Sequence, residues 1–161
     1  MKRYRKTMAF VNKHINNGDA IIDLGADNDL SRLMRRGGYI VKNTKFDLDV
    51  DYHAVSFYNV ITAFEIFEHM FAPFNVLNAS SGTLIASVPL KLWFAKAYWN
   101  DKDPLDCHYH EFEKKQFDHL LKRTGWTIKD SETWTDPHRE LGIRPILRLF
   151  YKRYYIVYAT K

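Results

Sequence analysis

The chain has 161 residues, of which 46% are hydrophobic and 16% aromatic, and 24 Lys+Arg against 19 Asp+Glu give a net charge of +5. This length and apolar content predict a single globular domain over residues 1–161 and exclude a disordered or fibrous chain. Its only cysteine, Cys107, excludes an internal disulfide framework. No apolar run reaches the roughly 18 residues of a transmembrane helix, so we expect a cytoplasmic protein.

Helical and extended patterns alternate along the chain. Apolar residues at helical spacing predict an N-terminal helix within residues 1–17 and further helices at about 30–36, 65–78 and 114–123. Short apolar runs predict strands at 20–25, 39–43, 59–64, 83–88, from 126 and at 154–158. This alternation predicts an α/β fold with a mostly parallel sheet flanked by helices.

Ligands of open α/β sheets bind outside the carboxyl ends of the strands. In this sequence those positions are residues 23–29, 43–51, 64–69 and the segment from Pro89 onward. Several carboxylates and the Glu68–His69 pair fall within them. We therefore expect the functional site at this edge of the sheet.

Five stretches carry motifs that belong together. They are Ile-Ile-Asp-Leu-Gly at 21–25, Glu-x-x-Glu-His within 59–69, Gly-x-Leu-x-x-Ser-x-Pro at 82–89, His-x-x-Glu-Phe at 108–112 and the closing strand at 154–161. In this order they resemble class I S-adenosylmethionine-dependent methyltransferases of the type 11/23 kind, in a divergent and shortened form. The resemblance implies a Rossmann-like doubly wound sheet with an antiparallel C-terminal strand.

The resemblance also implies S-adenosyl-L-methionine as the cofactor. The residues implied in its binding are those of the strand ends: Asp23, Leu24, Gly25, Ala26, Asp27, Asn43, Asp47, Asp49, Phe64 and Glu65. Two features depart from the family pattern. Asp27 and Asp29 replace the second and third glycines of the first loop, and a helix is missing between the second strand and Asp47. The acid that holds the ribose is therefore Asp47 or Asp49, with Asn43 as a weak substitute, and we favour Asp47.

Methyl transfer to a hydroxyl or amine needs a general base, and histidine suits that task near neutral pH. The candidates are His69, His108 and His110. His69 has an alternative role as a structural partner of the helix after the third strand. We predict no metal site, because one cysteine beside two histidines matches no closed zinc pattern. A divalent ion held by Glu65, Glu68 and His69, which share one helical turn, is the alternative.

Residues 92–112 are irregular and aromatic, and we predict that they form a substrate lid. Trp93, Tyr98 and Trp99 are the candidate substrate contacts, since flat aromatic faces suit a ring-bearing or sugar-like ligand. The alternative is that these aromatic residues fill the core. The predicted function is methyl transfer to a small molecule or a glycan precursor.

Two other functions remain open. A methyltransferase-fold protein that has lost its cofactor would explain the aspartates of the first loop and the missing helix. Methylation of nucleic acid would use the basic ends, since residues 1–13 contain five basic residues and no acid, and residues 138–161 contain six and one acid. The sequence lacks an Asn/Asp-Pro-Pro-Tyr/Phe motif of base-methylating enzymes, so nucleic acid is not favoured.

Overall fold

The computed structural model describes residues 2–103, 106–135 and 151–161. Its strands are β1 (Ala20–Asp23), β2 (Ile40–Asn43), β3 (Val60–Phe64), β4 (Thr83–Pro89), β5 (Thr127–Thr135) and β6 (Lys152–Thr160). They form one sheet in the order β2-β1-β3-β4-β6-β5. Strands β1 to β4 pair in parallel, and β6 runs antiparallel to both β4 and β5. The predicted α/β fold with an antiparallel C-terminal strand is confirmed.

Helices cover both faces of this sheet. They are α1 (Lys2–His14), α2 (Asp29–Arg36), α3 (Pro73–Ala79) and α4 (Lys114–Arg123). On one face Phe10 of α1 and Met34 of α2 are buried with Ile21 and Ile85 of the sheet. On the other face the apolar residues of α3 and α4 share a core with alternate residues of the same strands. The two faces follow from the pleat, which sends successive side chains to opposite sides.

The prediction of one continuous helix over residues 65–78 is wrong. The chain leaves β3 through Glu65, whose φ is 56°, makes a 3-10 turn at Phe67–His69, and starts α3 only at Pro73. Proline favours the first position of a helix, since it has no N–H to leave unpaired, and it breaks a helix that precedes it. The apolar spacing therefore continues across two separate elements.

The connection between β2 and β3 is short, as the residue spacing predicts. It consists of turns around residues 47–51 and a 3-10 helix at Tyr52–Phe57. Strand β2 is consequently at the edge of the sheet, where Ile40 is 63% exposed. Among the described residues, no helix has both the length and the apolar character that crossing a membrane requires.

Candidate functional site

A cavity of about 270 Å³ lies at the carboxyl ends of β1, β3 and β4. Three groups of residues line it. Those from the strand ends and first loop are Asp23, Leu24, Asn28, Leu30, Phe64, Glu65, Ile66 and Ser87; α1 supplies Arg3, Tyr4 and Thr7; β5 and β6 supply Trp134 and Tyr154. The cavity therefore lies at the edge of the sheet where the sequence predicts the functional site. Its walls come from both the N-terminal and the C-terminal parts of the chain.

Asp23 ends β1 and is 2% exposed. One of its carboxylate oxygens accepts a hydrogen bond from Thr62 Oγ1 at 2.7 Å, and the other accepts one from Asn43 Nδ2 at 3.0 Å. Burial raises the pKa of Asp23 to about 6, against the opposing effect of these two hydrogen bonds. Asp23 is therefore a buried acid that changes charge close to neutral pH.

Gly25 begins the loop after β1 with a φ of 101°. A Cβ atom at this position would lie 2.7 Å from Cδ1 of Ile66. Its N–H donates to Thr44 Oγ1 at 2.7 Å. The positive φ favours glycine here, and a Cβ atom would in addition push the terminal methyl of Ile66 aside, which accounts for the glycine that closes this motif.

The remainder of the loop directs its charge away from the cavity. Asp27 accepts hydrogen bonds from Arg32 Nε at 2.8 Å and Arg35 Nη1 at 2.7 Å, and these arginines lower the pKa of Asp27 to about 2. The Asn28 side chain caps α2 by accepting from the N–H groups of Leu30 and Ser31. The aspartate that replaces a family glycine is thus neutralised by the next helix, and Asn28 takes the first free amides of that helix.

Asn43 stands at the end of β2, where the family has an acid. Its amide donates to Asp23 and to the carbonyl of Gly25 at 3.3 Å, while its Oδ1 accepts from Arg35 Nη2. Both ends of the side chain are therefore engaged within the protein. Asn43 and Asp27 also border an open groove along β2, together with Lys45.

The structure places Asp47 and Asp49 outside the cavity lining. Asp47 accepts from the N–H of Asp49 at 2.9 Å and so closes its own turn. The two oxygens of Asp49 accept from the N–H groups of Phe71 and Ala72 at 2.9 and 2.8 Å. Because these N–H groups lead into α3, Asp49 holds the start of that helix. Sequence spacing could not separate this role from ribose binding.

Glu65 follows β3 and faces the cavity in a left-handed backbone conformation. Its N–H donates to the carbonyl of Ser87 at 3.0 Å, and its Oε1 accepts from Ser87 Oγ at 2.7 Å. Its Oε2 lies 3.9 Å from Arg3 Nη1. A non-glycine residue in this backbone region is uncommon and is found often at functional sites.

The residues that α1, β5 and β6 contribute to the cavity were not predicted from the sequence. Arg3 Nη1 donates to the Tyr154 hydroxyl at 3.4 Å, and its guanidinium lies 5.3 Å from the ring centres of Tyr4 and Tyr154. Trp134 pairs with Tyr154 across β5 and β6. No local sequence pattern predicts these contacts, because they depend on how α1 packs against the sheet and on the register of β5 and β6.

The three candidate bases lie outside the cavity lining. His69 Nδ1 donates to the Cys107 carbonyl at 3.0 Å, and His108 Nδ1 lies 3.2 Å from Glu111 Oε1. Their rings meet edge to face at 4.9 Å. His110 Nε2 lies 3.4 Å from the carbonyl of Phe71. The structure thus brings His69 and His108 together and leaves His110 apart.

Electrostatics distinguish this histidine pair further. Burial lowers the pKa of His108, and the neighbouring His69 acts in the same direction while Glu111 opposes it. Beside them Glu68 is 1% exposed, and burial together with the nearby Glu65 raises its pKa well above the ordinary value. The sequence indicated Glu68 as the partner of His69 and, in the alternative interpretation, as a ligand of a divalent ion, but it did not indicate that Glu68 is buried.

The aromatic residues predicted to contact substrate point outward. Trp93 is 71%, Tyr98 45% and Trp99 61% exposed, so they do not fill the core as the alternative interpretation requires. The Tyr98 hydroxyl donates to Asp106 at 2.8 Å. Residues 104–105 of the predicted lid lie outside the described residues. The lid itself stays a prediction.

Solved structures resemble this chain over almost its whole length. A Haloferax volcanii protein in complex with the methyltransferase activator Trm112 superposes with a TM-score of 0.69 at 11% identity, covering 98% of this chain and 88% of that one. An S-adenosylmethionine-dependent methyltransferase from Mesorhizobium loti gives 0.66 at 13% identity and covers 96% of each chain. Magnesium protoporphyrin IX methyltransferase from Synechocystis, with bound S-adenosylhomocysteine, gives 0.65 at 13% identity, covering 99% and 82%.

These likenesses show that the chain has the fold of class I S-adenosylmethionine-dependent methyltransferases. No protein-family model and no curated protein sequence matches it.

Proposed function

We propose that this chain is an S-adenosylmethionine-dependent methyltransferase that acts on a small molecule or a glycan precursor. The observation that carries the proposal is the cavity at the carboxyl ends of β1, β3 and β4 within a methyltransferase fold. It is lined by groups of both charges, namely Arg3, Asp23 and Glu65, and Arg3 Nη1 lies 3.9 Å from Glu65 Oε2. Such a lining complements an amino acid moiety, which carries an ammonium and a carboxylate.

The first loop can accept the cofactor, whereas Asn43 at the end of β2 is already engaged in hydrogen bonds within the protein. The positive φ of Gly25 turns the loop after β1, and Asp27 is neutralised by its arginines, so the charge of Asp27 does not oppose an approaching ligand. In the proposed complex Asp23 and Glu65 attract the ammonium of the cofactor, and Arg3 attracts its carboxylate. Asn43 stands where the resemblance implies a ribose-binding residue, and its Oδ1 already accepts a hydrogen bond from Arg35.

When bound, S-adenosylmethionine would supply an electrophilic methyl group, which the acceptor would take by attack opposite the sulfur, with S-adenosylhomocysteine as the leaving group. The residues of this chain would hold the reactants in that alignment, which accounts for much of the rate of such reactions. The exposed rings of Trp93 and Trp99 favour an acceptor with a flat or sugar-like ring. His69 and His108 serve as bases only for an acceptor bound near the predicted lid.

Calorimetric titration of the purified chain with S-adenosylhomocysteine tests the cofactor assignment. We expect saturable binding near pH 7.5 and weaker binding below pH 6, because protonation removes the negative charge of Asp23. The Arg3→Gln variant should lose at least about tenfold in affinity, since it loses a charge-assisted contact. Arg5→Gln is the matched control, because Arg5 lies on the same helix and is exposed.

The second candidate function is ligand binding or structural support without methyl transfer. It is favoured by the network of Asn43, Arg35 and Asp27, which occupies the positions where the family has a ribose-binding acid and a glycine. Absence of any heat or melting shift at millimolar S-adenosylhomocysteine would overturn the enzyme proposal and leave this candidate. The basic residues Arg139, Arg144 and Arg148, which motivated nucleic-acid methylation, lie outside the described residues.

A further inference from the structure

A second cluster of polar side chains lies where residues 67–69 meet residues 107–111. One ligand atom from each of Glu68, His69 and His108 lies within 4.8 Å of the others. None of the three lines the cavity described above. We propose that this cluster binds a divalent first-row transition ion such as Zn²⁺. This proposal does not depend on methyltransferase activity.

The donor set selects this class of ion. Two imidazole nitrogens and one carboxylate form a common set of three protein ligands for zinc and for neighbouring transition ions. Mg²⁺ and Ca²⁺ prefer oxygen ligands throughout. Three protein ligands leave a coordination position for water or for an anionic group of another molecule.

The hydrogen bonds of both imidazoles orient them for metal binding. The partner of His69 Nδ1 is the backbone carbonyl of Cys107, which can only accept, so Nδ1 carries the proton. The partner of His108 Nδ1 is the carboxylate of Glu111, which places the proton on that nitrogen as well. Each ring therefore keeps a lone pair on Nε2. Metal-bound histidines are usually held in this way, by a carbonyl or carboxylate on the opposite nitrogen.

Glu68 supplies an independent indication. Its Oε2 atom is buried and has no hydrogen-bond partner among the described residues, and its Oε1 lies 4.0 Å from His69 Nε2. Buried polar atoms without a partner are rare in folded proteins and cost free energy. An ion between Glu68 and the two histidines would satisfy this carboxylate, which the surrounding protein does not.

The ligands are held in place by backbone contacts. The carbonyl of Glu68 accepts from the N–H groups of Tyr109 and His110 at 2.8 and 3.2 Å, and His108 N–H donates to the Tyr98 carbonyl at 3.0 Å. Ligands of a tetrahedral zinc site lie about 3.4 Å apart, so the side chains must close by roughly 1 Å. Because these backbone hydrogen bonds hold residues 67–69 against residues 107–111, rotation of the side chains alone can bring the ligand atoms together.

Metal titration of the full chain tests the site directly. After EDTA treatment and dialysis, we expect one equivalent of Zn²⁺ to bind by calorimetry, and one equivalent of Co²⁺ to give visible absorption bands of a four- or five-coordinate ion. The His69→Gln and Glu68→Gln variants should each weaken binding at least about tenfold. His119→Gln is the control, because His119 is an exposed histidine on α4.

The wild-type measurement and the variants are read together. Circular dichroism and thermal melting establish that each variant folds, and if Glu68→Gln fails this check, His69→Gln and His108→Gln carry the comparison. Zn²⁺ should raise the melting temperature of the wild-type chain and of His119→Gln only. No saturable binding by the wild-type chain, or equal binding by folded His69→Gln and His108→Gln variants, overturns the proposal whatever S-adenosylhomocysteine does.

Discussion

Asp23 connects the stability of the protein to pH. Its pKa in the folded chain is about 6, above the value of 3.8 expected for an unperturbed aspartate. A raised pKa means that the folded state holds the proton more tightly than the unfolded state. The resulting stability is present below about pH 4 and is lost as the pH rises through 6.

Replacing Asp23 by asparagine should remove this pH dependence. Relative to the variant, the wild-type chain should lose up to about 3 kcal/mol of unfolding free energy between pH 4 and pH 7. Urea unfolding at several pH values measures this difference, and the exposed carboxyl variant Asp51→Asn serves as a control. An equal slope for wild type and Asp23→Asn would contradict the prediction. A constant offset is also expected, because the new amide faces the amide of Asn43.

A comparison of alanine variants at Gly25 and Gly18 distinguishes the cost of backbone strain from the cost of crowding by the added Cβ atom. Both have a positive φ, 101° and 92°, but a Cβ would contact Ile66 at Gly25 and nothing within 4 Å at Gly18. We expect both alanine variants to lose about 1–2 kcal/mol from the backbone alone. Gly25→Ala should lose slightly more than Gly18→Ala, because the terminal methyl of Ile66 must move aside, and it should also weaken binding of S-adenosylhomocysteine. Thermal unfolding and calorimetry check this, and an equal cost for the two variants would exclude the crowding term.

Local signals predicted one part of the site and missed another. Asp23 ends a buried strand, and Gly25 and Glu65 come just after buried strands, so their position at the sheet edge could be predicted from the pattern alone. Arg3 and Tyr154 are separated by 151 positions in sequence, and only the docking of α1 brings them together. The proximity of His69 and His108 likewise depends on the path of an irregular segment, which no periodicity describes.

At the scale of elements, α3 shows how a short helix depends on a distant side chain. It has only seven residues, its N-cap is Ala72, and that residue makes no side-chain capping bond. Asp49, from the turn after β2, accepts from two N–H groups at its start instead. An interaction across 22 and 23 positions replaces the usual local cap.

The Asp49→Ala variant should therefore destabilise the chain by about 1–2 kcal/mol, in the range of a lost helix cap. Asp51→Ala is the matched control, since Asp51 is an exposed acid in the same turn. Denaturant unfolding gives the two free energies. If both substitutions cost the same, the contacts of Asp49 do not stabilise α3.

Element types were easier to predict than element boundaries. Strands β1 to β4 and helices α2 and α4 stand close to the predicted positions, because glycine and proline residues mark their ends. The segment 65–78 was predicted as one helix because its apolar spacing is continuous. The structure divides it at Glu65 and Pro73, where backbone conformation outweighs periodicity.

At the scale of the whole molecule, α1 joins the two ends of the chain. Its Phe10 is 1% exposed and belongs to the core that includes Ile156 of β6. Lys13 and His14 both bind Asp130 of β5, at 2.7 and 2.8 Å. Helix α1 is therefore an integral layer of the fold and also positions Arg3 at the cavity.

Phe10→Ala should lower the unfolding free energy by about 3–5 kcal/mol, because it removes a large buried side chain. At a temperature where the variant is still folded, it should also weaken S-adenosylhomocysteine binding through the loosened α1. The exposed Arg5→Ala variant should change stability by less than about 0.5 kcal/mol. Comparable stability of the two variants would show that α1 is not part of the cooperative fold.

The cavity walls that come from residues 3 and 154 also have a consequence for protein synthesis. Tyr154 follows Arg3 by 151 positions, so a ribosome releases these two parts of the cavity wall at different times. A nascent chain that lacks β6 has an open cavity and an unpaired edge on β4, where apolar side chains are exposed. The cavity can therefore close around a ligand only after β6 has been translated and has paired with β4, and until then this strand edge is open to association with other chains.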